Sequence, residues 1–116
     1  MAVLYANNAR STLAASITAS QTALTVAPGD GGLFPYPAGG DVFYATLANQ
    51  TESATEIVRV NARSADTFTV VRGQDGTSAQ AWAAGDKVEL RLTRALLDAY
   101  AQDRASEALA MALALG

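Results

Sequence analysis

The string Arg72-Gly73-Gln74-Asp75-Gly76-Thr77 comes nearest, in residue types, to a binding motif in this chain. Amides laid bare by the two glycines, together with the Asp75 carboxylate, could hold an anion or a metal ion. Calcium loops, however, set several carboxylates at alternate positions, and Asp75 has no such company nearby. An Asp-Gly pair at a strand end also makes a turn whose glycine takes positive φ, and the string reads as that turn. Pro28-Gly29-Asp30-Gly31-Gly32 lacks the Lys-Ser/Thr ending of a phosphate loop and precedes no helix. It reads as a turn as well.

Glu52 with Glu56, and Asp86 with Glu89, are the neighbouring carboxylates that acid–base chemistry would use. A glycosidase sets such a pair across a shaped cleft, which so small a chain can hardly build. The chain has no His and no Cys, so imidazole catalysis, thiol nucleophiles, disulfides and cysteine–histidine zinc sites are excluded. No serine has a histidine to activate it. The expectation is a protein that is not an enzyme, with no catalytic residue, no cofactor and no metal. Phe34, Tyr36 and Trp82, with Tyr44, could instead form an aromatic platform for a partner or a sugar ring. The competing reading, preferred for Trp82, is that the indole anchors its long loop onto the core.

Positioning these groups falls to one domain, since 116 residues do not suffice for two independent cores. Half the chain is apolar, but much of that is alanine, so the core should be modest and lean on subunit contacts. Eight basic residues against eleven acidic ones give a net charge of −3 without a basic stripe. Nucleic acid is therefore not an expected partner. The N-terminus does not read as a signal peptide, and the apolar run Ala108 to Leu115 is far short of a membrane span. Neither a membrane nor a secretory route is expected.

Alternation with period 2 marks the strands. Leu24 and Val26 share a face, then Pro28 to Gly32 end the strand. Two prolines make Leu33 to Gly40 a loop whose aromatics pack back onto the sheet. Asp41 to Leu47 is apolar on both faces, as a covered strand would be. Thr55 to Val60 and Asp66 to Arg72 follow, with Asn61 to Ala65 as a hairpin connection. Gly73 to Gly85 is a long loop, and Lys87 to Leu92 is a strand with Val88, Leu90 and Leu92 on one side and Lys87, Glu89 and Arg91 on the other. The core should gather Leu24, Phe43, Ile57, Phe68, Val70, Val88 and Leu90.

At Thr93, a plausible N-cap, the period changes. From Arg94 to Leu115 the sequence holds no Gly, Pro or β-branched residue, and Ala and Leu dominate, which predicts a helix. Leu97, Tyr100, Arg104, Ala108, Met111 and Leu115 fall on one face of it. They are the expected oligomer interface, although Arg104 interrupts the stripe and the spacing is not that of a regular coiled coil. The alternative is that the helix folds back over its own sheet. The fold class expected is α+β, mainly β: an antiparallel β-sandwich or barrel-like domain over residues 1–92, then one C-terminal helix over 93–116.

Three stretches resemble a family. They are Ser16-Ile17-Thr18 through Leu24-Thr25-Val26 to Leu33-Phe34-Pro35, then Glu56-Ile57-Val58-Arg59-Val60 to Phe68 through Thr77, and Ala81-Trp82-Ala83 through Leu92-Thr93. In this order they are similar to a β-module of tailed-bacteriophage structural proteins, found in N-terminal parts of tail fibres and in small virion proteins. The similarity spans roughly residues 10–97. It implies a virion component made in the host cytoplasm, an adaptor or attachment protein that binds copies of itself, commonly as a trimer, and other virion proteins. The chain stops at Gly116 without the distal region of a fibre, which favours an adaptor over a complete fibre. A capsid decoration protein and a module binding host surface glycan are the alternatives.

Overall fold

The structure, a computed structural model, describes residues 2–94 together with Leu97 and Asp98. Six strands are arranged in one sheet: β1 (Arg10–Thr12), β2 (Ala23–Thr25), β3 (Phe43–Ala48), β4 (Thr55–Ser64), β5 (Thr67–Gln74) and β6 (Lys87–Glu89). Their order is β1-β6-β3-β4-β5-β2, and every neighbouring pair is antiparallel. The sheet curls until its two edges meet. There Leu13 and Val26 bridge, the Ala14 amide donates to the Thr25 carbonyl at 2.8 Å, and the Ala27 amide donates to the Thr12 carbonyl at 2.9 Å. Edge groups that would otherwise invite another chain are thereby paired. Of the two expected architectures, the barrel-like one is present.

The inward set follows the alternation. Phe43, Ala45 and Leu47 of β3, Val58 and Val60 of β4, Phe68 and Val70 of β5, with Leu24, Val26 and Val88, line a single core. Phe34, carried by the proline loop, packs on Phe43 at 5.9 Å and Phe68 at 5.0 Å between ring centroids, closing the end where β3 and β5 begin. Trp82 closes the opposite end by exchanging backbone bonds with Ile17 at 2.9 and 3.0 Å. A second small cluster lies outside the curl, where Val3 bridges Val42 and both pack with Tyr44.

Several expectations need correction. Arg10–Thr12, a stretch without the alternation that marks the other strands, is a strand as well, recruited by pairing with β6. Asn61–Ala65 is not the hairpin connection: β4 continues to Ser64 in register with Thr67, and only Ala65 and Asp66 turn the chain, Ala65 at φ 54°. Cross-strand pairing here overrides the turn preference of Asn61 and Ser64. Ile57 is half-buried on the outer face and Glu56 takes the inward place. β6 ends at Glu89, short of the expected Leu92, so Leu92 is 66 % exposed while Val88 and Leu90, set on the same side, are buried. The Leu97 amide donates to the Thr93 carbonyl at 3.1 Å, the first bond a helix beginning there would make. The rest of the expected helix lies outside the described residues.

Candidate functional site

Two ends of the barrel carry the candidate groups, and the chemistry at each follows from what its side chains already do. At the Trp82 end sits Glu56, wholly buried. Alternation with Val58 and Val60 turns its carboxylate inward, where a bare charge would be costly. Five donors meet it. Arg72 gives a bidentate pair at 2.8 Å each, the Trp82 indole N–H donates at 2.9 Å, and the amides of Gly73 and Gln80 donate at 2.9 and 3.1 Å. Gly73 is at φ +59°, which aims its amide at the carboxylate. The Arg72 guanidinium spends its remaining donors on the carbonyls of Thr18, Gln21 and Gln80 at 2.6, 2.8 and 2.6 Å.

Burial pushes the Glu56 carboxyl up. The Arg72 guanidinium, the Trp82 indole and the two amides outweigh it and hold the pKa below the ordinary 4.5. Glu56 is thus an anion at neutral pH, enclosed by its own fold and placed to hold segments together. The clamp joins β4, β5, the turn at 18–21 and the loop carrying Trp82. Sequence reasoning missed it, treating Glu56 as one of many carboxylates and Arg72 as the edge of a turn. The available signal was the inward phase of Glu56 with Val58 and Val60.

At the opposite end, outside Phe34, the surface is apolar. A 3-10 helix (Asp30–Leu33) is pinned to the β4–β5 turn because Asp66 accepts the amides of Gly29 at 3.1 Å and Gly31 at 2.9 Å. Those two amides hold the Asp66 carboxyl below its ordinary value. Leu33 therefore projects outward beside the turn. Tyr36, 64 % exposed, lies under the Arg63 guanidinium at 5.2 Å, and Arg63 Nε also donates to the Pro35 carbonyl at 3.3 Å. Across the same end, Tyr5 follows Leu4, whose amide donates to the Val42 carbonyl, and Leu92 lies three residues beyond the end of β6. Among the described residues, Tyr5, Leu33, Tyr36 and Leu92 are the exposed large apolar side chains. The strand register places all four at the end where β3 and β5 begin.

Phe34, Tyr36 and Trp82 do not form one platform. Phe34 is buried in the aromatic trio and Trp82 is buried against Glu56, so only Tyr36 offers a ring to solvent. Leu97 is half-buried. Tyr100, Arg104, Ala108, Met111 and Leu115 lie outside the described residues. Within the 72–77 string β5 ends at Gln74 and the chain turns at Asp75 and Gly76, at φ 53° and 80°.

A third surface feature is an open groove of about 320 Å³ lined by Arg10, Ser11, Thr12, Asp30, Gln50, Lys87 and Glu89. Beside it Glu52 accepts Lys87 at 2.8 Å and Arg91 at 2.9 Å, and Arg91 also meets Glu89 at 2.9 Å. These charges neutralise one another at the surface and favour no single ligand sign. Among the described residues, no three acidic side chains are grouped to hold a metal ion, and no helix is long and apolar enough to cross a membrane. No protein-family model matches the chain, and no curated protein is significantly similar to it in sequence.

Proposed function

We propose that the chain is a non-enzymatic structural component of a tailed-phage virion, an adaptor or attachment protein that works as a homo-oligomer, with a trimer favoured. The observation that carries this reading is the collection of Tyr5, Leu33, Tyr36 and Leu92 at one end, the end from which the apolar stretch beyond Thr93 departs. Large apolar side chains left exposed together at one end of a domain favour a contact with another protein. The conspicuous polar groups, by contrast, are consumed inside the fold.

The clamp also bears on the resemblance to phage β-modules. Thr18 belongs to the first of the three resembling stretches, Glu56 and Arg72 to the second, and Trp82 to the third; Arg72 and Trp82 donate to the Glu56 carboxylate, and Arg72 also donates to the Thr18 carbonyl. One residue or more from each stretch thus takes part in tying one end of the barrel together, which supports reading the three stretches as a single module. In this reading residues 1–92 form the β-domain and residues 93–116 a helix that assembles the subunits. The virion is the site of action, and neighbouring structural proteins are the partners.

Two measurements test the reading. Sedimentation equilibrium of the full chain should give an oligomer, and Met111→Asp with Leu115→Asp should shift it toward single subunits. Quantitative mass spectrometry of purified particles should find the chain in a copy number divisible by three. A chain present in infected cells but missing from the particles would overturn the assignment.

A further inference from the structure

The apolar end needs an occupant, and the geometry of the chain limits the choice. The stretch leaving it from Thr93 is expected to be helical through Leu115, about 33 Å long at 1.5 Å per residue. A six-stranded barrel with strands about 4.8 Å apart is only roughly 12 Å across its backbone. Laid over its own barrel end, such a helix would cover that end with its first turns and overhang with Ala108, Met111 and Leu115. A helix that instead runs outward leaves Leu33 and Tyr36 bare on the far side of the end, beside the β4–β5 turn. Either way, one copy cannot cover both its own stripe and its own barrel end.

We propose that the Leu33–Tyr36 side of the barrel end seats the C-terminal helix of a second copy. This rests on the homo-oligomer reading above and names the surface that would make it. Charge supports the match. Arg63 stacks on Tyr36, while residues 94–115 carry Asp98, Asp103 and Glu107 against Arg94 and Arg104, with Asp98 3.7 Å from Arg94. On the barrel end itself, Asp66 accepts two amides and also feels the charge of Arg63. Tyr36 is also held in place before any partner arrives, because Arg63 bonds the Pro35 carbonyl and covers the ring. Tyrosine and arginine anchored in this way are what contact sites with concentrated binding energy use.

The absence of cysteine from the chain gives a direct test in the full-length protein. Tagged Tyr36→Cys chains are co-produced with untagged chains carrying Leu97→Cys, Met111→Cys or Leu115→Cys in turn, then mildly oxidised. A disulfide-linked tagged–untagged pair is expected for at least one position. Both cysteines placed in one chain should still give the intermolecular product. A link formed only within single chains would overturn the proposal, because the helix would then lie on its own barrel. In parallel, Leu33→Asp with Tyr36→Asp should raise the dissociation constant roughly a hundred-fold while leaving Trp82 fluorescence unchanged. An oligomer of unaltered stability in this variant would remove the surface from the interface and leave the oligomeric adaptor reading standing. A wild-type chain that sediments as single subunits at all concentrations would end both.

Discussion

Glu56 and Arg72 show how much one buried pair can be asked to do. Neither side chain would be tolerable inside the barrel alone, and each is saturated by the other together with amides, carbonyls and an indole. Truncating one partner leaves an uncompensated buried charge, so Glu56→Ala or Arg72→Met should cost about 3–5 kcal/mol in urea unfolding. A loss below 1 kcal/mol would mean that water, not the protein, solvates the pair. Because the Glu56 carboxyl is held below its ordinary 4.5, the native state binds this proton less readily than the unfolded chain. The stability this contributes is complete above the unfolded value and is lost as pH falls through the lower folded value. Thermal melts should therefore fall from pH 5 toward pH 3, and Glu56→Gln should flatten that part of the profile. Asp66 and Glu52 are depressed in the same sense, so a residual slope in the Gln variant is expected.

The elements depend on a few sharp local fits. The 3-10 helix lies so close to the β4–β5 turn that a Cβ on Gly31 would stand 2.2 Å from the Ala65 carbonyl oxygen. Backbone cannot yield there as a flexible side chain would, so Gly31→Ala should cost about 1–3 kcal/mol in the same unfolding assay. Gly32→Ala, which meets nothing within 4 Å, is the control and should be near neutral. The strands themselves were largely legible in the sequence: Leu24 with Val26, Phe43 with Ala45 and Leu47, and Phe68 with Val70 all point inward as their alternation predicts. β1 was not, because three residues with no apolar rhythm are a strand only by virtue of their pairing with β6. The far end of β4 was misread for the same reason. Residues with turn preference stay extended when a neighbouring strand satisfies their backbone groups.

At the scale of the whole molecule, the barrel has one end sealed by charge and an indole, and another sealed by Phe34 with apolar side chains left outside it. That asymmetry gives the molecule a direction along its axis, which suits a connector. It also separates two classes of variant. Changes at the clamp should lower stability without altering which copies bind, whereas Leu33→Asp with Tyr36→Asp should weaken assembly without lowering the unfolding midpoint of the isolated subunit. Circular dichroism melts at low and high protein concentration distinguish the two. An equal midpoint loss for both classes at every concentration would count against the division.

Taken alone, the sequence carried the period of the strands, the inward packing of Phe34 (though not of Tyr36, which stays exposed) and the exclusion of histidine and cysteine chemistry, and it favoured the anchoring of Trp82, since these follow from residue type and near-neighbour spacing. The tertiary structure decided that Glu56 faces inward to meet Arg72, that the sheet curls until Leu13 reaches Val26, and that Leu33, Tyr36 and Leu92 share an end. Those facts depend on pairings between residues distant along the chain. Such pairings are selected by the joint burial and hydrogen bonding of the whole sheet, and no local window of sequence contains that sum.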